Sequence, residues 1–252
     1  MIDIDSGYYF GMGVFETIAI EKGKPLFLEW HLERMVQGLS ILNIHNDKFE
    51  EEVNVLKIEK YLMDNPMQHG VLKIMVSEKN ITFTKRDNNY TKEDYEKGFR
   101  LGITDVYRNE TSKLTYIKSF HYGDNLMEKS KIKKQGYDEV LFFNSRGEVV
   151  ETSASNIFFI KGKEIYTPKL ECGLLNGIVR RYIIENYKVN EVVINKENMC
   201  EFDEAFLTNS LMGIMPVYSI NYNNIKFKNR NITLEIMNKY KFFVNDYLKN
   251  IY

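Results

Sequence analysis

The sequence predicts a mixed α+β protein. Three observations carry this. Strand-like and helix-like hydrophobic patterns alternate along the chain. Its 252 residues are 44% hydrophobic, enough to bury one large core or two of ordinary size. No internal repeat or low-complexity tract interrupts the pattern, and four prolines leave no Pro-rich linker.

Taken in order, Val14 to Ile20 reads as a strand, followed by a turn at Lys22-Gly23-Lys24-Pro25 and a second short strand at Leu26 to Leu28. Leu32, Met35, Val36 and Leu39 recur at helical spacing. Val53, Leu56, Tyr61 and Leu62 predict a second amphipathic helix before Pro66. Strands are expected at Val71 to Val76, Ile81 to Lys85 and Arg100 to Thr104.

The polar stretch VYRNETSKL (106–114) is the natural place for a boundary. It divides the chain into residues 1–108, a linker at 109–116, and residues 117–252. Beyond it come a helix near 124–135 and strands at Glu139 to Phe143 and Asn156 to Ile160, joined through Ser145-Arg146-Gly147. A short strand ends at Tyr166, a helix follows Gly177, and another runs from about Thr233 to Leu248.

Composition excludes several functions. A net charge of -1 with no segregated basic half argues against nucleic acid as a partner. Two cysteines, Cys172 and Cys200, form no CxxC and no disulfide framework, which fits a reducing compartment. The start MIDIDSGYYFGMG lacks the basic and apolar regions of a signal peptide, and no run of 18 apolar residues occurs. A soluble, cytoplasmic protein without a membrane partner is expected. The four histidines never take HxxxH or HExxH spacing, so no metal site is expected. Gly11-Met12-Gly13 is not a dinucleotide fingerprint: Glu16 stands at the third glycine position, and the glycines precede a strand instead of following one.

Five blocks in order carry the chemistry. FGMGVFETI (10–18) is followed by HLERM (31–35). IKSFHYGDNLMEKSKIKKQGYDEVLF (117–142) carries Lys118. GEVVETSASNIFFIKGKEIYTP (147–168) is the most specific. CGLLNGIVRR (172–181) and TNSLMGIMPV (208–217) complete the set. Together these resemble the fold-type IV, pyridoxal-phosphate-dependent enzymes of the class IV aminotransferase family, from Phe10 to Val217. The resemblance implies a small α/β domain, a larger β-rich domain bearing the cofactor lysine, and a homodimer.

The resemblance also assigns residues. Lys118 is matched to the lysine that holds the cofactor aldehyde and then shuttles protons at the substrate carbon. Arg34 is matched to the arginine on the cofactor phosphate, a task suited to a planar, always-charged fork. Glu151 is placed against the pyridine nitrogen, where a negative charge keeps the ring protonated. Tyr122 falls where the family has a tyrosine reaching the ring, while His121 departs from an asparagine common there. Gly177, Ile178 and Val179 form a strand-to-helix turn whose amides face the phosphate, and Ser210 is the last phosphate donor. Asn176, Arg181 and Thr208 are nearby candidates for substrate carboxylates.

The segment LMGIMPV resembles the branch acting on 4-amino-4-deoxychorismate, which releases pyruvate and 4-aminobenzoate for folate synthesis. Branched-chain and D-amino-acid aminotransferases on the same fold usually carry small residues and a glutamate before T-P-V. A noncatalytic binding protein that has kept the fold is the third alternative.

Overall fold

A glycine-edged strand, β1 (Gly13–Glu21), is the centre of the N-terminal architecture. It follows a one-turn helix, α1 (Ser6–Phe10), capped by Asp5, and is followed by β2 (Lys24–Pro25). Next come α2 (Leu28–Leu42), α3 (Phe49–Glu52), α4 (Val55–Asp64), β3 (His69–Ser77) and β4 (Ile81–Arg86). The computed structural model describes residues 2–250. Its four-stranded sheet runs β2-β1-β3-β4, antiparallel, with Phe15 opposite Met75 and Ile18 opposite Leu72. Val14, Ile18 and Ile20 point to one face, where Met35 and Leu39 of α2 and Ile58 and Leu62 of α4 pack on them. The expected strand at Leu26 to Leu28 is absent. Phe27 takes a left-handed conformation (φ 52°) and α2 starts directly after it, so a turn at Leu26-Phe27 and the first residue of α2 occupy the positions a strand would need.

The rest of the chain supplies α5 (Lys92–Lys97), β5 (Phe99–Ile103), α6 (Gly123–Lys134), β6 (Glu139–Phe143), β7 (Val149–Thr152) and β8 (Asn156–Lys161). It continues with β9 (Glu164–Pro168), α7 (Ile178–Asn186), β10 (Val189–Val192), β11 (Glu204–Asn209), β12 (Gly213–Ile220), β13 (Ile225–Lys226) and α8 (Asn231–Asn250). The nine-stranded sheet has the order β10-β9-β8-β11-β12-β5-β6-β7, with β13 on β12. Because β7 also pairs with β8, at Glu151 opposite Asn156, the sheet closes on itself. Leu141, Phe143, Ile157, Phe159, Leu207 and Met215 fill its interior. The turn at Gly147 leads into β7, and a second turn at 153–155 reaches β8, so two hairpins stand where the pattern suggested one connection.

The chain divides into two compact units. The first is residues 1–89, 117–121 and 244–252, and the second is 90–116 and 122–243. The cut falls at Asn89 instead of within 109–116, and Lys118 belongs to the first unit. The physical reason is strand pairing: β5 lies parallel between β12 and β6, so the residues on either side of it go with the larger sheet. The segment 117–121 returns to β1, with Phe15 donating its amide to the Lys118 carbonyl (2.9 Å) and Phe120 to that of Gly13 (2.9 Å). Among the described residues no helix is long and apolar enough to cross a membrane.

Candidate active site

Within the first unit, Glu16 faces the helical side of β1 and is 1% exposed. His31 and Arg34 sit three residues apart on α2 and therefore share a face. All three meet: Arg34 donates Nε to Glu16 Oε1 and Nη2 to Oε2, both at 2.7 Å, and His31 Nδ1 lies 2.6 Å from Oε2. Burial works against the Glu16 carboxylate, but the Arg34 charge and the donors around it win and hold its pKa well below the ordinary range. Burial pushes the His31 pKa down, leaving the imidazole neutral at pH 7. An ionised carboxylate only accepts, so Nδ1 carries the proton and Nε2 is a bare lone pair, buried without a hydrogen bond. Arg34 is thus held in a fixed plane by a bidentate fork.

Lys118 stands beside this group on the returning segment, half-buried, with Nζ 4.4 Å from the centre of the Phe15 ring. A second amine, Lys73 on β3, lies 4.7 Å from the same ring, and burial followed by the Arg86 charge lowers its pKa. Gly13 is needed here, since a Cβ at this position would collide with Phe120.

Within the second unit the remaining residues converge on the β7–β8 pairing. Asn156 ties them together. Its Nδ2 donates to the Leu175 carbonyl (2.8 Å) and approaches Glu151 Oε2 (3.4 Å), which also accepts the Leu175 amide (3.2 Å). Gly177 caps α7 without a side chain, so the amides of Ile178 and Val179 open the helix at its positive end. Thr208 pairs with Asn156 across β11 and β8, and its hydroxyl is buried without a hydrogen bond. Ser210 follows in the tight turn where Asn209 Oδ1 accepts the amides of Leu211 (2.9 Å) and Met212 (2.8 Å). Arg180, 2% exposed, holds the turn before α7 through Asn176 Oδ1 and ties it to the Pro168 carbonyl (both 3.2 Å) and to Glu191 (2.5 Å). Arg181, by contrast, pairs with Glu185 on its own helix, and Asn176 serves Arg180.

Tyr122 donates its hydroxyl to the Ser153 carbonyl (2.7 Å), which also accepts Asn125 Nδ2 (2.6 Å). Burial, then the nearby Glu151 charge, pushes the phenol above its ordinary pKa, so it stays protonated. Sequence reasoning missed Glu16, His31, Arg108, Asn125 and Asn156. The signal available for the first two was the HxxR spacing of HLERM beside a buried-strand glutamate.

A Cβ at Gly177 would collide with the side chain of Asn156. The Gly177 φ of -72° suits any residue, so the penalty is steric alone. Gly177→Ala is expected to destabilise the chain by about 1–3 kcal/mol through overpacking, read as a lowered thermal midpoint.

The family model described as class IV amino-transferase matches residues 13–220. The chain is 30% identical over 243 residues to the aminodeoxychorismate lyase of Bacillus subtilis, covering 86% of this chain and 82% of that protein. It is 27% identical over 243 residues to the D-alanine aminotransferase of Listeria monocytogenes, covering 87% and 82%. The crystal structure of 4-amino-4-deoxychorismate lyase from Pseudomonas aeruginosa superposes with a TM-score of 0.81 at 20% identity, covering 95% of this chain and 94% of that one, which establishes a shared fold.

Proposed function

The chain belongs to the class IV amino-transferase family, and from that premise we propose that it cleaves 4-amino-4-deoxychorismate to pyruvate and 4-aminobenzoate. It is a pyridoxal-phosphate-dependent enzyme of the fold-type IV class, as the five sequence blocks implied. The observation that carries the lyase reading is the segment TNSLMGIMPV (208–217), which follows the lyase pattern. The 30% identity to the Bacillus lyase points the same way.

The residues fit the cofactor. A phosphate group needs hydrogen-bond donors at close backbone approach, and the second unit offers the Gly177–Val179 helix start and the Thr208 hydroxyl, buried without a hydrogen bond. Ser210 and Arg34 are the further phosphate donors that the family resemblance assigns. When bound, pyridoxal phosphate supplies an aldehyde carbon for a primary amine and a ring that takes up an electron pair from the amine-bearing carbon.

Lys118 is the amine that would hold that aldehyde and, once displaced by the substrate's amine, would remove the proton from the amine-bearing carbon as general base. Glu151 would serve the ring nitrogen and favour its protonated form. Tyr122, held by Ser153, would line the ring. Cleavage of the enolpyruvyl ether bond leaves an aromatic ring, and the proton removed from the substrate balances the one that converts the enol to pyruvate. No water or keto-acid acceptor is consumed.

The same reading places the enzyme in folate synthesis, in the cytoplasm, and as a homodimer. Exposed Tyr8, Tyr9 and Phe10 of α1 support the last, being apolar surface of a kind that a second copy covers. The 27% identity to a D-alanine aminotransferase favours transamination as the second reading. A visible spectrum of the purified protein before and after adding aminodeoxychorismate, with pyruvate measured in the same cuvette, tests both. Pyruvate release is expected. Its absence, with conversion to the pyridoxamine form by D-alanine, glutamate or leucine, would replace the lyase with the aminotransferase.

A further inference from the structure

Arg108 lies in the irregular stretch after β5, its amide donating to the Phe143 carbonyl (2.8 Å). Its guanidinium rests 3.9 Å from the centre of the Phe142 ring, and Nη1 donates to Asn125 Oδ1 at 3.0 Å. Nη2 then sits 3.7 Å from Glu151 Oε1, with both side chains almost wholly enclosed. Nε and Nη2 are buried and make no hydrogen bond. This is an unusual state for an arginine beside a carboxylate, because the pair normally closes to a fork of two short bonds. Arg34 does so on Glu16 at 2.7 Å. Arg108 does not, since stacking on Phe142 and the Asn125 anchor fix its plane from the other side.

The consequence is a positive charge close to Glu151 that does not spend itself in a hydrogen bond to it. Charged or titratable groups that act with Glu151 include Arg180, whose pKa burial lowers against the opposing Glu191 and Glu151 charges, and the Tyr122 phenol. The Leu175 amide and Asn156 also donate to Glu151, through longer contacts of 3.2 and 3.4 Å. We propose that Arg108 is a positioning residue that holds Glu151 in its carboxylate form from a fixed stand-off, so that an ionised carboxylate serves the ring nitrogen. The role of Glu151 rests on the function proposed above, whereas the electrostatic relation between the two side chains does not.

Two readouts on the full-length chain test this. With carboxyl-13C glutamate and assignment by loss of the signal in Glu151→Gln, the Glu151 carboxyl of the cofactor-free chain should titrate below the ordinary carboxylate value. Arg108→Met, which keeps an apolar stem over Phe142, should raise that midpoint by about 1–3 units, the usual effect of a neighbouring opposite charge. Arg108→Lys should restore most of it. With 15N-labelled pyridoxal phosphate bound, the ring nitrogen should report as protonated at pH 7 in the native chain and shift toward the neutral form in Arg108→Met. A native Glu151 that titrates at or above the ordinary value overturns the inference even if Arg108→Met does not fold, as does an unchanged midpoint in Arg108→Met. A chain that takes up no pyridoxal phosphate removes the proposed function but leaves the carboxyl titration to decide the matter of Arg108.

Discussion

Lys118→Ala is expected to abolish turnover and the visible absorbance of the bound cofactor together. The amine has two tasks in the proposed reaction, holding the aldehyde and moving the proton at the amine-bearing carbon. Proton transfer by a positioned side chain alone contributes about 10²–10⁴-fold, so kcat should fall by at least that factor. The measurement must separate Lys118 from Lys73, because both amines lie over the Phe15 ring, at 4.4 and 4.7 Å. Borohydride reduction followed by peptide mapping does this: the label should appear on the peptide containing Lys118, and Lys73→Ala should remain coloured and active. Label on Lys73, or turnover surviving in Lys118→Ala, would refute the assignment. The geometry that favours Lys118 is its backbone. The segment is sewn to β1 by the amides of Phe15 and Phe120, so its Cα is fixed on the strand that also carries Glu16.

Local patterns make most elements legible in the sequence. The strand read at Val14 to Ile20 is β1 with one residue more at each end, and the helix read at 124–135 is α6 displaced by one. The helix expected from Thr233 to Leu248 is α8, which extends two residues further at each end. These succeed because apolar periodicity is a short-range signal. TNSLMGIMPV, which carries Ser210 as the expected last phosphate donor, holds the end of β11, a turn and the start of β12. The strands escaped notice because both are buried nearly throughout and show no alternation. The side-chain partnerships were less legible still. Arg108 meets Asn125, Phe142 and Glu151 only through the closure of the second sheet, and no spacing in the sequence encodes which arginine will stack on which ring. Even the division into units depended on β5 choosing β6 and β12 as neighbours, a long-range pairing.

The largest expected effect on stability is at Glu16. In Glu16→Gln the carboxylate that balances Arg34 disappears while the guanidinium, 12% exposed, remains beside a neutral amide. Breaking a buried ion pair from one side costs about 3–5 kcal/mol, which for a chain of this size lowers the thermal midpoint by on the order of 10 °C. The pH dependence identifies the cause. A carboxylate with a depressed folded pKa contributes its stability above its unfolded pKa and loses it as pH falls through the folded value. For Glu16 the loss therefore begins below about pH 4.3 and continues to the acid limit, because its folded pKa is held well below the carboxylate range. Asp5, where bonds from Ser77, Lys79, Tyr8 and Asn80 outweigh burial, titrates at about 2. Glu148, held chiefly by Arg146, also titrates at about 2. Both add to the same window in native and variant alike. His31 has its own window: with a depressed folded pKa it withdraws stability as pH falls below about 6.5, where the unfolded imidazole binds a proton and the buried one does not. The difference in unfolding free energy between native chain and Glu16→Gln should thus be full near pH 7 and shrink below pH 4.3, by at most about 1.4 kcal/mol per pH unit. Denaturant melts at pH 7, 4 and 3 measure it. A difference that stays constant across that range would mean Glu16 acts by shape and not by charge.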